Sequence, residues 1–153
     1  FFDLIRVMNV SDIEFTGKVD VREYYGKMDM VLLTSISEGQ PLAVMESFAS
    51  GKPVVATDVG DCRGLILGES DGFGEAGIVV PVMDVAGISS ALLRLAYNQS
   101  ERTRMGENGR LRAAALYRAE TMYESYRTLY EAQASENQKE KEGEQKWREL
   151  VSN

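Results

Sequence analysis

The chain has 153 residues and a formal net charge of -7, which is enough for one domain core but not for two well-developed domains. The negative charge argues against a nucleic-acid binder, because affinity for a phosphate backbone comes from clustered Lys and Arg. A single cysteine, Cys62, excludes an internal disulfide, and the absence of histidine removes the usual zinc ligand and neutral-pH proton shuttle. Any general base among these residues is therefore a carboxylate.

The apolar stretches are too short to cross a membrane. The most apolar of them, residues 76–83, is interrupted by Pro81 and falls well below the roughly 18 residues that a span requires. We therefore expect a cytoplasmic protein. The chain starts directly with an apolar segment, residues 1–6, without an initiator Met, which predicts a fragment of a longer protein that begins inside a helix.

Short apolar and β-branched runs predict buried parallel strands. They cover residues 13–16, 30–34, 53–57 and 77–80. Segments with helical spacing alternate with these runs. They cover residues 21–28, 41–50, 62–67 and 84–98. The alternation indicates an α/β fold with a doubly wound, Rossmann-like parallel sheet.

Extra C-terminal helices are predicted after the last strand. The first covers residues 101–117 with Ser100 as its N-cap, and the second covers residues 119–134. Residues 136–149 are nearly all Glu, Lys, Gln and Gly. This composition predicts a frayed helix or a disordered tail.

The segment most informative about chemistry covers residues 34–55 and predicts a strand, a loop, a helix and a second strand. Pro41 suits the first turn of this helix, where a missing N–H is tolerated. The backbone N–H groups of Leu42 and Ala43, with the helix dipole, would favour a diphosphate at the carboxyl edge of the sheet. Gly39 would let such a ligand approach the backbone closely.

Two glutamates lie on either side of this helix start. Glu38 is in the turn and Glu46 follows eight residues later, so both carboxylates can point toward the same sheet edge. As an ionised carboxylate, Glu46 could accept hydrogen bonds from a pair of ribose hydroxyls. Glu38 could orient a transferring sugar or stabilise the positive charge that develops on it. The alternative is that Glu46 is a solvated helix residue and Glu38 only offsets the helix dipole.

The same segment resembles a known family. Glu38, seven intervening residues and Glu46, followed by ASGKPVVATDVG at residues 49–60, are similar to the signature of family-four retaining glycosyltransferases with the GT-B fold. LTSISEGQPL at 33–42 and DVGDCR at 58–63 resemble the PelF-like branch, which makes an exopolysaccharide. The resemblance spans about residues 1–130.

The resemblance implies an incomplete C-terminal domain of a GT-B enzyme that transfers a hexose from a UDP-sugar, with UDP-glucose expected, to a growing polysaccharide or glycan acceptor. Glu38 would be the catalytic residue that contacts the donor sugar. For Gly60, at the same sheet edge, the alternatives are a position that admits the sugar and a plain glycine turn. The predicted donor-binding residues are Gly17, Val19, Gly39, Gln40, Pro41, Leu42, Glu46 and Gly60.

The expected partners follow from the same resemblance. They are the UDP-sugar donor, an N-terminal domain of the same protein and a membrane polysaccharide-synthesis complex, and no cofactor or metal is expected. Residues 1–118 would be the partial nucleotide-sugar-binding domain, 119–135 a helix that crosses to the missing N-terminal domain, and 136–153 a flexible charged tail. Because the family's diphosphate-neutralising Arg and Lys lie before Phe1, we expect this fragment alone to be inactive.

The residues leave several alternatives open. The chain could instead be a non-catalytic nucleotide-sugar-binding or scaffold domain of a polysaccharide-synthesis complex. Cys62, at a predicted helix start, is either a packing residue or a thiol with a lowered pKa. Tyr123, Tyr126 and Tyr130 recur at helical spacing, which indicates either packing or a contact with the N-terminal domain.

Overall fold

The computed structural model describes residues 2–69 and 71–151, with the side chains of residues 2, 4, 140, 142–146 and 148–151 outside that description. The helices are α1 (Phe2–Val7), α2 (Arg22–Tyr25), α3 (Leu42–Ala49), α4 (Cys62–Leu67), α5 (Val85–Tyr97), α6 (Gln99–Leu116) and α7 (Ala119–Val151). The strands are β1 (Val31–Leu33), β2 (Val54–Thr57) and β3 (Gly77–Val80). Helix and strand alternate from α2 to α5, as the sequence pattern predicts for this part of the chain.

The strands form a parallel sheet in the order β1-β2-β3. Val31 pairs with Val54, and Val54 pairs with Gly77. The central strand β2 is buried along its whole length, which fits its continuous apolar sequence. Because the strands are parallel, the loops that leave β1 and β2 emerge at the same edge of the sheet.

Helices cover both faces of the sheet, which confirms the doubly wound α/β prediction. Val54 and Ala56 of β2 point into one core, which α3, α4 and Ala113 of α6 complete. Val55 points into the opposite core, together with Ala91 and Leu95 of α5 and Met105 of α6. Alternate side chains of one strand thus serve two separate hydrophobic layers.

Helix α6 packs closely against α3 because two of its glycines lack side chains. A Cβ on Gly109 would lie 2.7 Å from the ring of Phe48, and one on Gly106 would lie 2.2 Å from the carbonyl oxygen of Gly51. Both glycines are buried. Helix α6 is therefore part of the domain core and not an appendage, and it supports the helix that follows the candidate site.

A buried arginine on α6 fastens the segment between α4 and β3. Arg112 is fully buried, forms an ion pair with Asp71 and donates to the carbonyl oxygens of Leu65 at 2.9 Å and Gly74 at 2.5 Å. Its guanidinium also lies 5.8 Å from the ring centroid of Phe48. These partners satisfy a buried charge that would otherwise be costly.

The predicted strand at residues 13–16 is wrong. This segment is exposed and contains no strand, with Ile13 at 45% and Phe15 at 48% exposure. Apolar and β-branched residues form a strand only where a neighbouring strand accepts their hydrogen bonds. Within the part of the chain that the structure describes, the sheet consists of β1, β2 and β3, and residues 13–16 lie outside it.

Two predicted helix starts also need correction. Pro41 is the N-cap of α3, with an extended backbone, and does not lie in its first turn. The N-cap of α6 is Asn98 and not Ser100, because the side-chain oxygen of Asn98 accepts from the backbone N–H of Glu101 at 3.1 Å. Ser100 lies inside the helix and donates to that same oxygen.

Helix α7 is longer than predicted. The sequence pattern placed its end near Ala134, whereas the helix continues through the charged segment to Val151. Glu, Lys and Gln are strong helix formers, which accounts for the extension. No helix within the described residues is long and apolar enough to cross a membrane.

Candidate functional site

The candidate site is built from the loops that leave β1 and β2 at the carboxyl edge of the sheet. The hydroxyl of Thr57, at the end of β2, donates to the carbonyl oxygen of Ser35 at 2.6 Å. The backbone N–H of Asp61 donates to the carbonyl oxygen of Gly39 at 2.9 Å. The amide of Gln40 donates to the Asp61 carboxylate at 3.1 Å. These hydrogen bonds join the two loops.

Gly60 allows the two loops to meet. Its φ of +51° lies in the left-handed region, and an added Cβ would lie 2.4 Å from the carbonyl oxygens of both Glu38 and Gly39. Both observations require glycine at this position. The space left by the missing side chain is filled by the Glu38–Gly39 backbone, and the contact of Gly60 with a donor sugar stays a prediction.

Glu38 lies in this junction as a half-buried side chain. Its Oε1 accepts a hydrogen bond from the hydroxyl of Ser35 at 2.6 Å. The bond holds one carboxylate oxygen against the loop. The other oxygen, together with the remaining lone pair of Oε1, can still accept hydrogen bonds from a ligand.

Helix α3 starts directly after this loop. Pro41 is its N-cap and provides no side-chain cap, and its carbonyl oxygen accepts from the N–H of Val44 at 3.1 Å. The N–H groups of Leu42 and Ala43 belong to the first helical turn, where a helix offers donors and the positive end of its dipole. Leu42 is 68% exposed, so ligands can approach this end of α3.

Glu46 is exposed one turn further along α3 and contacts a tyrosine from α2. Its Oε2 accepts a hydrogen bond from the hydroxyl of Tyr25 at 3.3 Å. Burial of the phenol, followed by the negative charge and hydrogen bond of Glu46, raises the pKa of Tyr25 to about 12. Tyr25 is therefore a protonated donor at neutral pH. The helical spacing of residues 21–28 predicts that Tyr25 lies on a helix, but it does not predict the contact with Glu46.

Gly17 and Val19 lie in the exposed segment between α1 and α2. Gly17 has a φ of +66° with open space around it, and Val19 is 41% exposed. The hydrogen bonds that join the β1 and β2 loops do not involve either residue. Their role beside a nucleotide base stays a prediction.

An apolar groove of about 640 Å³ separates the start of α3 from α7. Gln40, Leu42 and Glu46 form its α3 side, and Met122 and Tyr126 belong to its α7 side. Three of the site residues predicted from sequence thus line one concave surface. The tyrosines of α7 remain accessible, with Tyr123 at 66%, Tyr126 at 54% and Tyr130 at 69% exposure.

Cys62 is buried at the start of α4. Burial raises the pKa of its thiol, so it is a packing residue and not an activated nucleophile. Among the residues that the structure describes, no cluster of three or more His, Cys, Asp or Glu side chains has the arrangement needed to hold a metal ion.

Comparison with known proteins identifies the family. The family model described as "Glycosyl transferases group 1" matches residues 3–98, a span that includes β1 to β3 and the loops of the candidate site. The chain belongs to this family.

Curated relatives include a synthase and two proteins named as sugar transferases. N-acetyl-alpha-D-glucosaminyl L-malate synthase of Bacillus anthracis is 29% identical over 83% of this chain and 32% of its own length. MMP alpha-(1->4)-mannosyltransferase of Mycolicibacterium hassiacum is 27% identical over 84% of this chain and 31% of its own length. D-inositol 3-phosphate glycosyltransferase of Kribbella flavida is 31% identical over 88% of this chain and 32% of its own length.

A solved structure supports the fold assignment. Sucrose-phosphate synthase from Thermosynechococcus elongatus superposes with a TM-score of 0.74 and 28% identity, over 86% of this chain and 34% of the other. The architecture is therefore the α/β Rossmann-like domain of the GT-B glycosyltransferase fold. The chain spans about a third of the length of the relatives that it matches.

Proposed function

We propose that this chain is the donor-binding domain of a retaining glycosyltransferase that takes a hexose from a nucleoside-diphosphate sugar. One observation carries the proposal: a half-buried carboxylate, Glu38, is held by Ser35 at the junction of two sheet-edge loops, directly before the uncapped start of α3. An anion site and a fixed carboxylate are thus adjacent in the chain. Both groups would stabilise the charges that develop when a sugar–diphosphate bond breaks.

The diphosphate of the donor would lie at the start of α3. The first-turn amides of Leu42 and Ala43 are hydrogen-bond donors there, and the helix dipole adds a positive potential. Gly39 is exposed and has open space where a side chain would be, which allows a phosphate to approach the backbone. Negative charge develops on the diphosphate as it leaves, and these donors would stabilise it.

Glu38 would act on the sugar. As the bond between the anomeric carbon and the diphosphate oxygen breaks, its electron pair goes to the diphosphate and positive charge develops on the sugar. A fixed carboxylate stabilises such charge more than water does, because it needs no reorganisation during the reaction. The hydrogen bond from Ser35 supplies this fixed position.

Glu46 would bind the ribose. Its exposed carboxylate lies one turn along α3 from the proposed diphosphate position. Two oxygens with two lone pairs each can accept from adjacent ribose hydroxyls while Oε2 keeps its bond to Tyr25. Gly17 and Val19 would pass beside the nucleotide base.

The assignment to a branch of the family and to a donor sugar rests on the sequence of the loop. LTSISEGQPL, residues 33–42, favours the PelF-like branch, and with it UDP-glucose as donor and an exopolysaccharide as product. In this proposal the enzyme is cytoplasmic, needs no metal, and works with an N-terminal acceptor-binding domain and a membrane polysaccharide-synthesis complex. The names of the relatives mention other sugars, so the donor has to be tested against alternatives.

The test is transfer from radiolabelled donors by the full-length enzyme, with UDP-glucose, UDP-N-acetylglucosamine and GDP-mannose assayed in parallel. Glu38→Gln and Glu46→Gln should each lower transfer by more than about tenfold, the loss expected for one hydrogen bond to a charged group. Glu107→Gln, on the exposed side of α6, is the matched control and should keep normal transfer.

Three further outcomes are decisive. Unchanged transfer in both glutamate variants would reject this site. A wild-type enzyme that binds donors without transferring them would favour the non-catalytic scaffold. NMR of the product should show the anomeric configuration of the donor, and an inverted configuration would reject the retaining assignment.

A further inference from the structure

Tyr25 reaches from α2 to the ribose-binding glutamate proposed above. The residue is only 7% exposed, and its hydroxyl lies 3.3 Å from Oε2 of Glu46, which is 21 positions away in the chain. The turn that carries Tyr25 is held by its N–H bond to the carbonyl oxygen of Val21 at 3.2 Å. A fixed, buried donor is therefore aimed at a single oxygen of an exposed carboxylate.

This contact restricts the side chain of Glu46. An exposed glutamate on a helix samples many rotamers, and fixing it for a ligand costs conformational entropy at the moment of binding. A hydrogen bond from a buried phenol selects one orientation beforehand, so that cost is met during folding. Burial and Glu46 raise the pKa of this phenol to about 12, so it stays protonated over the whole neutral range and can donate.

We propose that Tyr25 is a positioning residue that orients Glu46 toward the ribose hydroxyls and thereby sets the preference for a ribonucleotide over a 2′-deoxyribonucleotide donor. The inference rests on the proposed function, because it assigns a ribose to Glu46. It adds a residue from a different helix to the donor site. It also predicts a specificity that depends on a group without contact to the ribose.

The neighbouring tyrosine provides a matched control. Tyr24 is half-buried on the same helix, and its ring lies 5.0 Å from the ammonium group of Lys27. Tyr24→Phe therefore removes the same hydroxyl from the same short helix at a position that faces Lys27. Both phenylalanine variants keep the ring and its packing, and their melting temperatures should match that of the wild type within about 2 °C, because only one hydroxyl is lost.

The experiment measures binding of UDP and of 2′-deoxy-UDP to the full-length enzyme by calorimetry. The wild type should bind UDP about tenfold more tightly than 2′-deoxy-UDP, since a site built for a hydroxyl loses a charge-assisted bond without it. Tyr25→Phe should weaken UDP binding about threefold to tenfold and 2′-deoxy-UDP binding less, because that ligand keeps only one of the two hydroxyls that Glu46 would bind. Discrimination between the two ligands then shrinks, whereas Tyr24→Phe keeps it.

Glu46→Gln distinguishes a failure of the proposed ribose role from a failure of the inference about Tyr25. If this variant still discriminates between UDP and 2′-deoxy-UDP as the wild type does, the ribose role in the proposed function fails. If it loses discrimination while Tyr25→Phe keeps it, the ribose role stands and the inference about Tyr25 is overturned. Equal weakening of both ligands in Tyr25→Phe would show a merely structural residue and would also overturn it.

Discussion

The hydroxyl of Ser35 donates to Glu38 at 2.6 Å while the carbonyl oxygen of the same serine accepts from Thr57 at 2.6 Å. Thr57 is buried at the end of β2. A rigid strand therefore fixes the backbone of Ser35, and Ser35 in turn fixes the carboxylate. The position of Glu38 depends on a neighbouring strand as much as on its own loop.

Ser35→Ala removes the side-chain part of this arrangement. We expect the turnover number of the full-length enzyme to fall about tenfold, because a hydrogen bond to a charged group contributes about 1.5 kcal/mol or more. The Michaelis constant for the donor should change less, since α3 and Glu46 are untouched. Ser37→Ala, an equivalent change at an exposed position of the same loop, is the control. Equal losses in both variants would contradict the role of Ser35.

Gly60→Ala should destabilise the domain. The new Cβ would lie 2.4 Å from two carbonyl oxygens at a φ of +51°, and such strain costs on the order of 1 to 3 kcal/mol. Urea denaturation should show a lower free energy of unfolding. Gly26→Ala, at a φ of -61° with open space around it, is the control. A Gly60→Ala protein as stable as the wild type would mean that the two loops are not packed as described.

Arg112→Met should lower the free energy of unfolding more than Gly60→Ala does. Its removal leaves Asp71 and several carbonyl oxygens without their buried partner, and breaking a buried pair typically costs about 3 to 5 kcal/mol. Arg110→Met removes an exposed arginine paired with Glu107 on the same helix, which should cost about 0 to 1 kcal/mol. Thermal unfolding of the two variants compares them directly, and similar melting temperatures would refute a special role for Arg112.

Asp71 makes the stability depend on pH. The hydrogen bond from Arg112, the largest influence, holds the pKa of Asp71 below its ordinary value. The ionised form therefore stabilises the fold above the unfolded-state pKa of about 3.9, and this stabilisation is lost as pH falls through the lower folded-state value. Asp71→Asn should reduce the free energy of unfolding at pH 6, and its difference from the wild type should shrink below about pH 4.

Urea denaturation at several pH values and constant ionic strength measures this difference. Asp12→Asn, in the exposed segment before α2, provides a control for the general effect of removing a carboxylate. A difference between wild type and Asp71→Asn that stays constant from pH 6 to about pH 3 would show that the Arg112 pair does not favour the ionised form.

The α/β class, the elements between residues 30 and 98 and the family could all be predicted without the structure. Buried strands and amphipathic helices leave local patterns of apolar residues, and the spacing of Glu38 and Glu46 is a local motif as well. Helix α4 has the predicted bounds of Cys62–Leu67. Such features need no knowledge of which distant segments meet.

Local patterns do not encode the contacts between segments that are distant in the chain. The run at residues 13–16 has strand-like composition but lies outside the sheet of the described chain. Arg112 resembles a surface charge until its partners 38 to 47 positions away are known. The contact of Tyr25 with Glu46 and the glycine requirement at position 60 likewise arise only when separate loops and helices converge. Partners distant in sequence decide these positions, because burial and hydrogen bonding depend on neighbours in space.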